Sequence, residues 1–213
     1  MLCGVDEAGK GAVLGPMVVA AAAVLDITQL DSIAIRDSKT LTPRRREELF
    51  SRLTEMCLYH VVYVSPCEID AALPLISMNL VVARAHATSV AALKPETAYL
   101  DACDVNAARY ADTVQSLLTY PSCTLIAEHR ADATYPIVGA ASIIAKVMRD
   151  RAIADLALEY GDIGSGYPSD KKTIRFLTEY IREHGAPPAC ARSSWKTVAA
   201  LLEKESQSSL LDF

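Results

Sequence analysis

Four acidic residues stand where predicted strands end, and their placement indicates the chemistry that the chain could perform. Asp6 and Glu7 close a short apolar run and directly precede the glycine-containing residues 9–11. Asp101 ends a compact β-rich run, and Asp132 follows another one. Because the carboxyl ends of parallel strands meet at one edge of a sheet, we expect these carboxylates to converge there.

Clustered carboxylates repel one another and raise each other's pKa values unless a cation neutralises them. Hard oxygen ligands select Mg²⁺ or Mn²⁺. Two such ions, about 3.5–4 Å apart, can activate water on one side of a phosphodiester and stabilise the leaving oxygen on the other. The four acids therefore predict a two-metal site for phosphodiester hydrolysis. The alternative is that each acid is a separate surface or helix-capping residue.

The predicted elements explain how such distant acids could meet. Apolar β-rich runs predict strands at residues 1–6, 17–25, 59–64, 97–101 and 124–128. Helical patterns cover residues 42–57, 76–93, 107–119, 138–159, 170–184 and 194–205, with a short helix that opens at residue 65. Strands in hairpin order, followed by strands with helical crossovers, make a mixed sheet. We therefore predict an α/β fold with a five-stranded sheet flanked by helices and a helical C-terminal extension.

The composition bounds the architecture. With 213 residues, of which 51% are hydrophobic, the chain can fill one main core. We predict a catalytic domain at residues 1–160, a helical extension packed on it at 161–205, and a flexible tail at 206–213.

Apolar runs are shorter than the roughly 18 residues that span a bilayer, so we expect a cytoplasmic monomer away from membranes. The six cysteines lack any C-x-x-C pair and indicate neither a zinc site nor a disulfide framework.

The net charge of −5 gives the chain no global attraction to nucleic acid. Basic residues nevertheless cluster locally, at residues 44–46, 146–151 and 171–175. Because a patch rather than the total charge steers a polyanion, an acidic chain remains compatible with a nucleic-acid substrate.

Short motifs follow one another in order along nearly the whole chain. They are Gly-Val-Asp-Glu-Ala-Gly-Lys-Gly at residues 4–11, then residues 14–17, 37–39, 99–101, 127–132, 140–147, Gly-Ser-Gly-Tyr-Pro-Ser-Asp at 164–170, and Arg-Ser-Ser-Trp-Lys-Thr at 192–197. This ordered set closely resembles the type 2 ribonuclease H (ribonuclease HII) family, in the compact form of its archaeal members.

The resemblance implies a ribonuclease H-like fold in which Asp6, Glu7, Asp101 and Asp132 are the metal-binding catalytic acids. It implies hydrolysis of the RNA strand of RNA–DNA hybrids with Mg²⁺ or Mn²⁺. It also implies incision 5′ to single ribonucleotides embedded in duplex DNA, which leaves 3′-hydroxyl and 5′-phosphate ends.

The resemblance further implies that Gly9, Lys10 and Gly11 read the ribose 2′-hydroxyl through backbone groups. The family usually has Gly-Arg-Gly here, and Lys10 keeps the positive charge without the planar fork of arginine. Tyr167 matches the tyrosine that packs on the sugar, and the alternative is a core tyrosine. Further candidate substrate contacts are Ser38, Lys39, Ser142, Lys146, Arg149 and Lys196. For Lys146 a solvated helix face is the alternative interpretation.

Other functions remain as alternatives, and each differs from this one in a stated feature. The glycines at 9, 11 and 15 lack the helix start and the Lys-Ser/Thr pair of dinucleotide and P-loop motifs. A non-catalytic nucleic-acid adaptor, or a resolvase or transposase of the same superfold, would lack metal-dependent cleavage or ribonucleotide specificity. His60, His86 and His184 are interpreted as structural or surface residues.

The C-terminal residues form a separate motif. Gln207, Leu210 and Phe213 resemble the box with which partner proteins dock on the sliding clamp PCNA, inserting one apolar helical turn in a pocket. The alternative is that Leu210 and Phe213 pack on the protein's own core.

Overall fold

The computed structural model describes residues 1–31, 33, 42–120 and 122–211, with side chains as far as Gln207. Two predicted substrate contacts, Ser38 and Lys39, lie outside the described residues. So do Phe213 and the side chain of Leu210 in the predicted clamp-binding box.

The strands of the described chain are Leu2–Ala8 (β1), Met17–Val24 (β2), Leu58–Val64 (β3), Thr97–Asp101 (β4) and Thr124–Glu128 (β5). Within that part of the chain they form one five-stranded sheet in the order β3-β2-β1-β4-β5. β1 pairs with β2 in antiparallel fashion and with β4 in parallel fashion, and β4 pairs in parallel with β5. The predicted mixed sheet, with its later strands parallel to the first, is confirmed.

The helices are Pro43–Met56 (α1), Pro66–Ala72 (α2), Met78–Leu93 (α3), Ala107–Leu117 (α4), Ala131–Thr134 (α5), Pro136–Tyr160 (α6), Lys171–His184 (α7) and Lys196–Leu211 (α8). A short 3₁₀ helix spans Ile27–Leu30. α1 begins where the sequence predicts, because the Thr42 hydroxyl accepts a hydrogen bond from the Arg45 N–H at 3.3 Å and Pro43 takes the first helical position.

The chain divides into two compact units. The first unit comprises residues 1–8, 18–63 and 77–148, and the second comprises residues 9–17, 64–76 and 149–213. Each unit draws on several parts of the chain, and α6 contributes to both. The catalytic domain at 1–160, the extension at 161–205 and the tail at 206–213 stay predictions from the sequence.

The core of the first unit is built around β1, β2 and the start of α6. Every residue of β2 is buried, and most are alanine or valine. At Gly4 of β1, an added Cβ would lie 2.4 Å from the carbonyl carbon of Ile137 on α6. Only a glycine lets the strand approach the helix backbone so closely. The face of β1 that carries Gly4 is therefore the face turned to α6.

The core of the second unit is a cluster of apolar side chains from the segment before β2 and from the C-terminal helices. Val13, Leu14, Ile163, Leu177 and Val198 are fully buried in it. Leu14 also forms an isolated antiparallel bridge with Ala191. The segment at residues 9–17 is thus fixed by the C-terminal part of the chain.

Several element bounds differ from the sequence prediction, and two of these elements extend into the predicted functional residues. β1 continues past Asp6 to Ala8, because its antiparallel register with β2 extends to the pairs Glu7–Val19 and Ala8–Val18. α8 continues to Leu211, so residues 206–211 are helical; these residues contain neither glycine nor proline to end a helix. Within the described residues, no helix is long and apolar enough to cross a membrane.

Candidate active site

Asp6 and Asp101 occupy equivalent positions on two neighbouring strands. β1 and β4 run parallel with Val5 paired to Leu100, so each acid is the next residue along its strand. Asp6 is only 6% exposed, and its Oδ1 accepts a hydrogen bond from the Glu7 N–H at 2.7 Å. The predicted meeting of these two acids at the carboxyl end of the sheet is therefore present in the first unit.

The surroundings of Asp6 disfavour its negative charge. Burial, followed by the charges of Glu7 and Asp101, raises the pKa of Asp6 well above its ordinary value. The hydrogen bond from the Ser142 hydroxyl acts in the opposite direction but does not reverse the shift. A cation next to Asp6 would remove this penalty.

Asp132 is connected to the same strand end through its neighbour in the chain. The backbone N–H of Ala131 donates a hydrogen bond of 2.9 Å to Oδ1 of Asp101. Asp132 follows in the first turn of α5 and is buried. Arg130, with a φ of 60°, makes the left-handed turn that leads from β5 into this helix. A third acid is thereby held beside the end of β4.

Glu7 takes a different direction. Side chains alternate along a strand, so Glu7 points to the face of β1 opposite Asp6, where its Oε2 lies 3.2 Å from Nε2 of His86 on α3. Among the described residues, no group of three or more His, Cys, Asp and Glu side chains forms a ready metal cage. Convergence of all four acids on one ion stays a prediction.

The donor atoms nevertheless fit the predicted metal. Asp6, Asp101 and Asp132 offer only carboxylate oxygens, which are hard ligands that suit Mg²⁺ or Mn²⁺. Asp6 is also the acid whose ionisation its surroundings oppose, first through burial and then through the charges of Glu7 and Asp101, and these effects raise its pKa. These three residues would hold the ion, and the Glu7 carboxylate, in the orientation in which it contacts His86, is near enough for its charge to act on Asp6.

Ser142 and Lys146 lie one turn apart on α6. Ser142 is 2% exposed, and its hydroxyl is hydrogen-bonded to Asp6. It therefore supports an acid rather than presenting its hydroxyl to solvent, as a direct substrate contact would require. Lys146 is partly exposed.

In the second unit, Gly9, Lys10, Gly11 and Ala12 form what we call the glycine turn. Gly9 has a φ of +81°, and the N–H of Ala12 donates to its carbonyl oxygen at 3.2 Å. The buried guanidinium of Arg192 donates to the carbonyl oxygens of Gly9 at 2.7 Å and Lys10 at 2.9 Å. Arg192 also binds the carbonyl oxygen of Gly15, at 3.1–3.2 Å. One side chain thus fixes both ends of the loop.

Arg149 contacts both the glycine turn and Tyr167. A Cβ on Gly9 would lie 2.6 Å from Nε of Arg149, so this guanidinium packs directly on the turn. Its Cζ lies 4.3 Å from the centroid of the partly exposed Tyr167 ring, and its Nη2 donates to the Ser165 carbonyl at 2.8 Å. The predicted ribose-reading residues are therefore neighbours within the second unit.

Two buried cations accompany these residues. Burial lowers the pKa of Arg149, and burial followed by the charge of Arg149 lowers the pKa of Arg192 to about 10. Arginine side chains stay protonated in proteins. Sequence reasoning gave Arg192 no role, although it opens the motif at residues 192–197. Lys196 of that motif is exposed at the start of α8.

We expect Asp6→Asn to stabilise the metal-free protein. A raised folded-state pKa means that the folded chain binds this proton more tightly than the unfolded chain, so stability falls as pH rises above the unfolded value of about 4. The amide removes the buried charge and should add about 1–3 kcal/mol to the free energy of unfolding at pH 7. The gain should disappear as the pH is lowered to about 4 or below.

Calorimetric unfolding in the presence of EDTA measures this effect. Asp112→Asn, at an exposed position of α4, is the matched control and should leave stability unchanged. A lower stability of Asp6→Asn at pH 7 would contradict the assignment of Asp6 as a penalised charge.

The sequence of the chain is similar to those of known proteins over nearly its full length. A family model described as Ribonuclease HII matches residues 3–198. The protein named Ribonuclease HII from Methanoregula boonei is 56% identical over 213 residues, which is 100% of either chain. The relative of the same name from Pyrococcus furiosus is 45% identical and aligns with 99% of this chain and 96% of its own.

Two solved structures are also similar to the chain, in fold and in sequence. The crystal structure of ribonuclease H2 from Pyrococcus horikoshii OT3 superposes with a TM-score of 0.90 at 43% identity, covering 97% of this chain and 99% of that one. A structure of the PCNA:RNase HII complex from Archaeoglobus fulgidus superposes with a TM-score of 0.88 at 42% identity, covering 94% and 96%. Since the match extends over nearly its full length, the chain belongs to the ribonuclease HII family, whose members are metal-dependent ribonucleases H.

Proposed function

We propose that this ribonuclease H hydrolyses the RNA strand of RNA–DNA hybrids and also incises 5′ to single ribonucleotides in duplex DNA, leaving 3′-hydroxyl and 5′-phosphate ends. The observation that carries the catalytic part is the buried Asp6 beside Asp101 at the carboxyl ends of two parallel strands. One copy of the chain supplies every residue that the proposal uses, which supports activity as a monomer.

The four acids have separate roles in this proposal. Asp6 and Asp101 hold the divalent cations, and Asp132 and Glu7 complete the ligand set. Ser142 keeps the Asp6 carboxylate oriented, and the Ala131 N–H does the same for Asp101. When bound, Mg²⁺ or Mn²⁺ supplies Lewis-acid activation of water and stabilisation of the leaving oxygen.

We expect Asp101→Asn to lower kcat on an RNA–DNA hybrid by about 100-fold or more, because the amide loses the charge needed to hold the cation. Its Oδ1 can still accept the hydrogen bond from Ala131, so the fold should persist. A labelled-hybrid cleavage assay with Mg²⁺ or Mn²⁺ measures the loss.

Asp104→Asn is the matched control for that assay. Asp104 follows β4 by a few residues but pairs with Arg109 and caps the Asn106 N–H, so its loss should not change kcat. Equal kcat values for Asp101→Asn and the unaltered chain would remove Asp101 from the catalytic residues.

Recognition of a ribonucleotide rests on the glycine turn. The Lys10 carbonyl and the Gly11 N–H belong to one trans peptide unit and point in opposite directions. Because the carbonyl is bound by Arg192, the Gly11 N–H is directed away from that side chain. Gly11 is exposed, and among the described residues no atom lies within 4 Å of an added Cβ. This open backbone supports close approach of a 2′-hydroxyl, the group that marks RNA.

Tyr167 supplies the second part of the recognition proposal. Its ring is fixed by the Arg149 guanidinium and remains partly exposed, as a platform for a sugar requires. Lys10, Lys146 and Lys196 are proposed phosphate contacts, since each is at least partly exposed. Ser38 and Lys39 stay predictions from the sequence.

We expect Gly11→Ala to lower kcat/KM for a duplex with one ribonucleotide by about 10-fold or more, because a methyl group would block the backbone from the ribose. The added Cβ meets open space, so the thermal midpoint should not change. Cleavage rates and thermal unfolding of the same preparations test both statements.

Gly185→Ala should show the reverse pattern. Gly185 ends α7 with a φ of +69°, so alanine there should cost about 1 kcal/mol of stability and leave cleavage selectivity unchanged. Full activity of Gly11→Ala on the single-ribonucleotide duplex would contradict the role of the glycine turn.

We also propose that the C-terminal box, with Gln207, Leu210 and Phe213, binds the sliding clamp PCNA. Two observations support this. α8 carries the box as far as Leu211 in helical form, with Gln207 exposed, and helical form is what a one-turn anchor requires. The solved relative from Archaeoglobus fulgidus is described as a PCNA:RNase HII complex.

Removal of residues 207–213 is expected to abolish binding to an archaeal PCNA, measured by surface plasmon resonance, and to leave hybrid cleavage without PCNA unchanged. Glu203→Ala, an exposed change on the same helix, should retain binding. Undiminished binding by the truncated chain would exclude the box. A lower thermal midpoint without any PCNA binding by the full chain would favour packing of the tail on the core.

A further inference from the structure

His86 is a fully buried polar residue on a mostly apolar helix. It lies in the middle of α3, where the buried neighbours include Val82, Ala83, Ala87 and Val90. A buried imidazole is costly unless its polar atoms are satisfied. Its position therefore calls for a partner, and the partner is Glu7.

The contact between His86 and Glu7 has a defined direction. Nε2 of His86 lies 3.2 Å from Oε2 of Glu7. An ionised carboxylate only accepts hydrogen bonds, so Nε2 carries the proton and donates it. Among the described residues, Nδ1 of His86 is buried without a hydrogen-bond partner, so Nε2 is the ring nitrogen through which His86 acts on its surroundings. The edge-on ring of Tyr110, with centroids 5.7 Å apart, fixes the imidazole plane.

Glu7 depends on such a partner more than the other acids do. Asp6 and Asp101 have short side chains that backbone N–H groups orient directly. Glu7 has one more rotatable bond and points to the α3 side of β1, so an unsupported carboxylate would sample several rotamers. With the side chain only 13% exposed, the hydrogen bond from His86 restricts these rotamers.

We propose that His86 is a positioning residue for catalysis: its Nε2–H holds the Glu7 carboxylate in the orientation from which Glu7 joins Asp6 and Asp101 in binding the divalent cation. This inference rests on the proposed catalytic role of Glu7. It adds a residue on α3 to the groups that act during hydrolysis.

Replacement of the imidazole separates hydrogen bonding from packing. His86→Leu fills the space without a donor, whereas His86→Gln keeps a side-chain N–H at similar reach. We expect His86→Leu to weaken Mn²⁺ binding and lower kcat on a hybrid by on the order of tenfold, with KM nearly unchanged. His86→Gln should recover most of both losses. Calorimetric titration with Mn²⁺ in the absence of substrate measures the first effect independently of activity.

Ser89→Ala is the matched control. Ser89 is buried on the same helix, and its hydroxyl donates to the Ala85 carbonyl at 3.0 Å. Its loss should change stability but neither Mn²⁺ affinity nor kcat. If His86→Leu does not fold, His86→Met provides the apolar variant. Equal losses in His86→Gln and His86→Leu would show a packing role and overturn the inference, as would Mn²⁺ affinity unchanged in the apolar variant.

A double-mutant cycle shows whether His86 acts through Glu7. In a Glu7→Gln background, His86→Leu should cause no further loss of Mn²⁺ affinity, because the carboxylate it positions is gone. Additive losses, or a Glu7→Gln variant with unchanged affinity, would overturn the inference. Absence of hybrid cleavage by the unaltered chain would count against the proposed function alone, since Mn²⁺ affinity still decides the role of His86.

Discussion

The mutual repulsion of largely buried carboxylates at the ends of β1 and β4 is the constraint on which the first unit depends. Asp6 lies beside Asp101, and burial together with the neighbouring charges opposes its ionisation. The protein supports this arrangement with short contacts: the Glu7 N–H and the Ser142 hydroxyl bind Asp6, and the Ala131 N–H binds Asp101. These neutral donors reduce the penalty without cancelling it. A cation beside Asp6 would remove the remaining penalty.

Much of the fold could be predicted because its signals are local. Thr42-Pro43 predicts the start of α1, and the apolar run that Asp101 closes predicts β4. Other features depend on partners far along the chain. The extension of β1 to Ala8 follows from its register with β2, and the direction of Glu7 follows from that extension. His86 is separated from Glu7 by 79 residues, so no sequence pattern marks the pair. A polar residue among the mostly apolar residues of α3 was the only available signal.

The net charge of the chain is a poor guide to its electrostatics. The total is −5, but the second unit contains two guanidinium groups that are almost entirely buried. They belong to Arg149 and Arg192, and both contact the glycine turn. Buried cations act at short range through a medium that screens them weakly, unlike surface lysines in salt solution. An acidic protein can therefore present a positive environment at one loop. Arginine suits this role, because its planar fork binds several carbonyl groups at once while its face stacks on an aromatic ring.

The hydrogen bonds from Arg192 to the glycine turn also constrain the order of events during biosynthesis. Residues 9 and 10 leave the ribosome early, yet the side chain that fixes their carbonyl groups is 182–183 positions later. The emerging polypeptide can pair β1 with β2 but has to wait for its C-terminal segment before the turn is held. The contacts that fix the glycine turn can therefore form only after residue 192 has been synthesised, and a chain interrupted before that point lacks this support even when Asp6 and Asp101 are present.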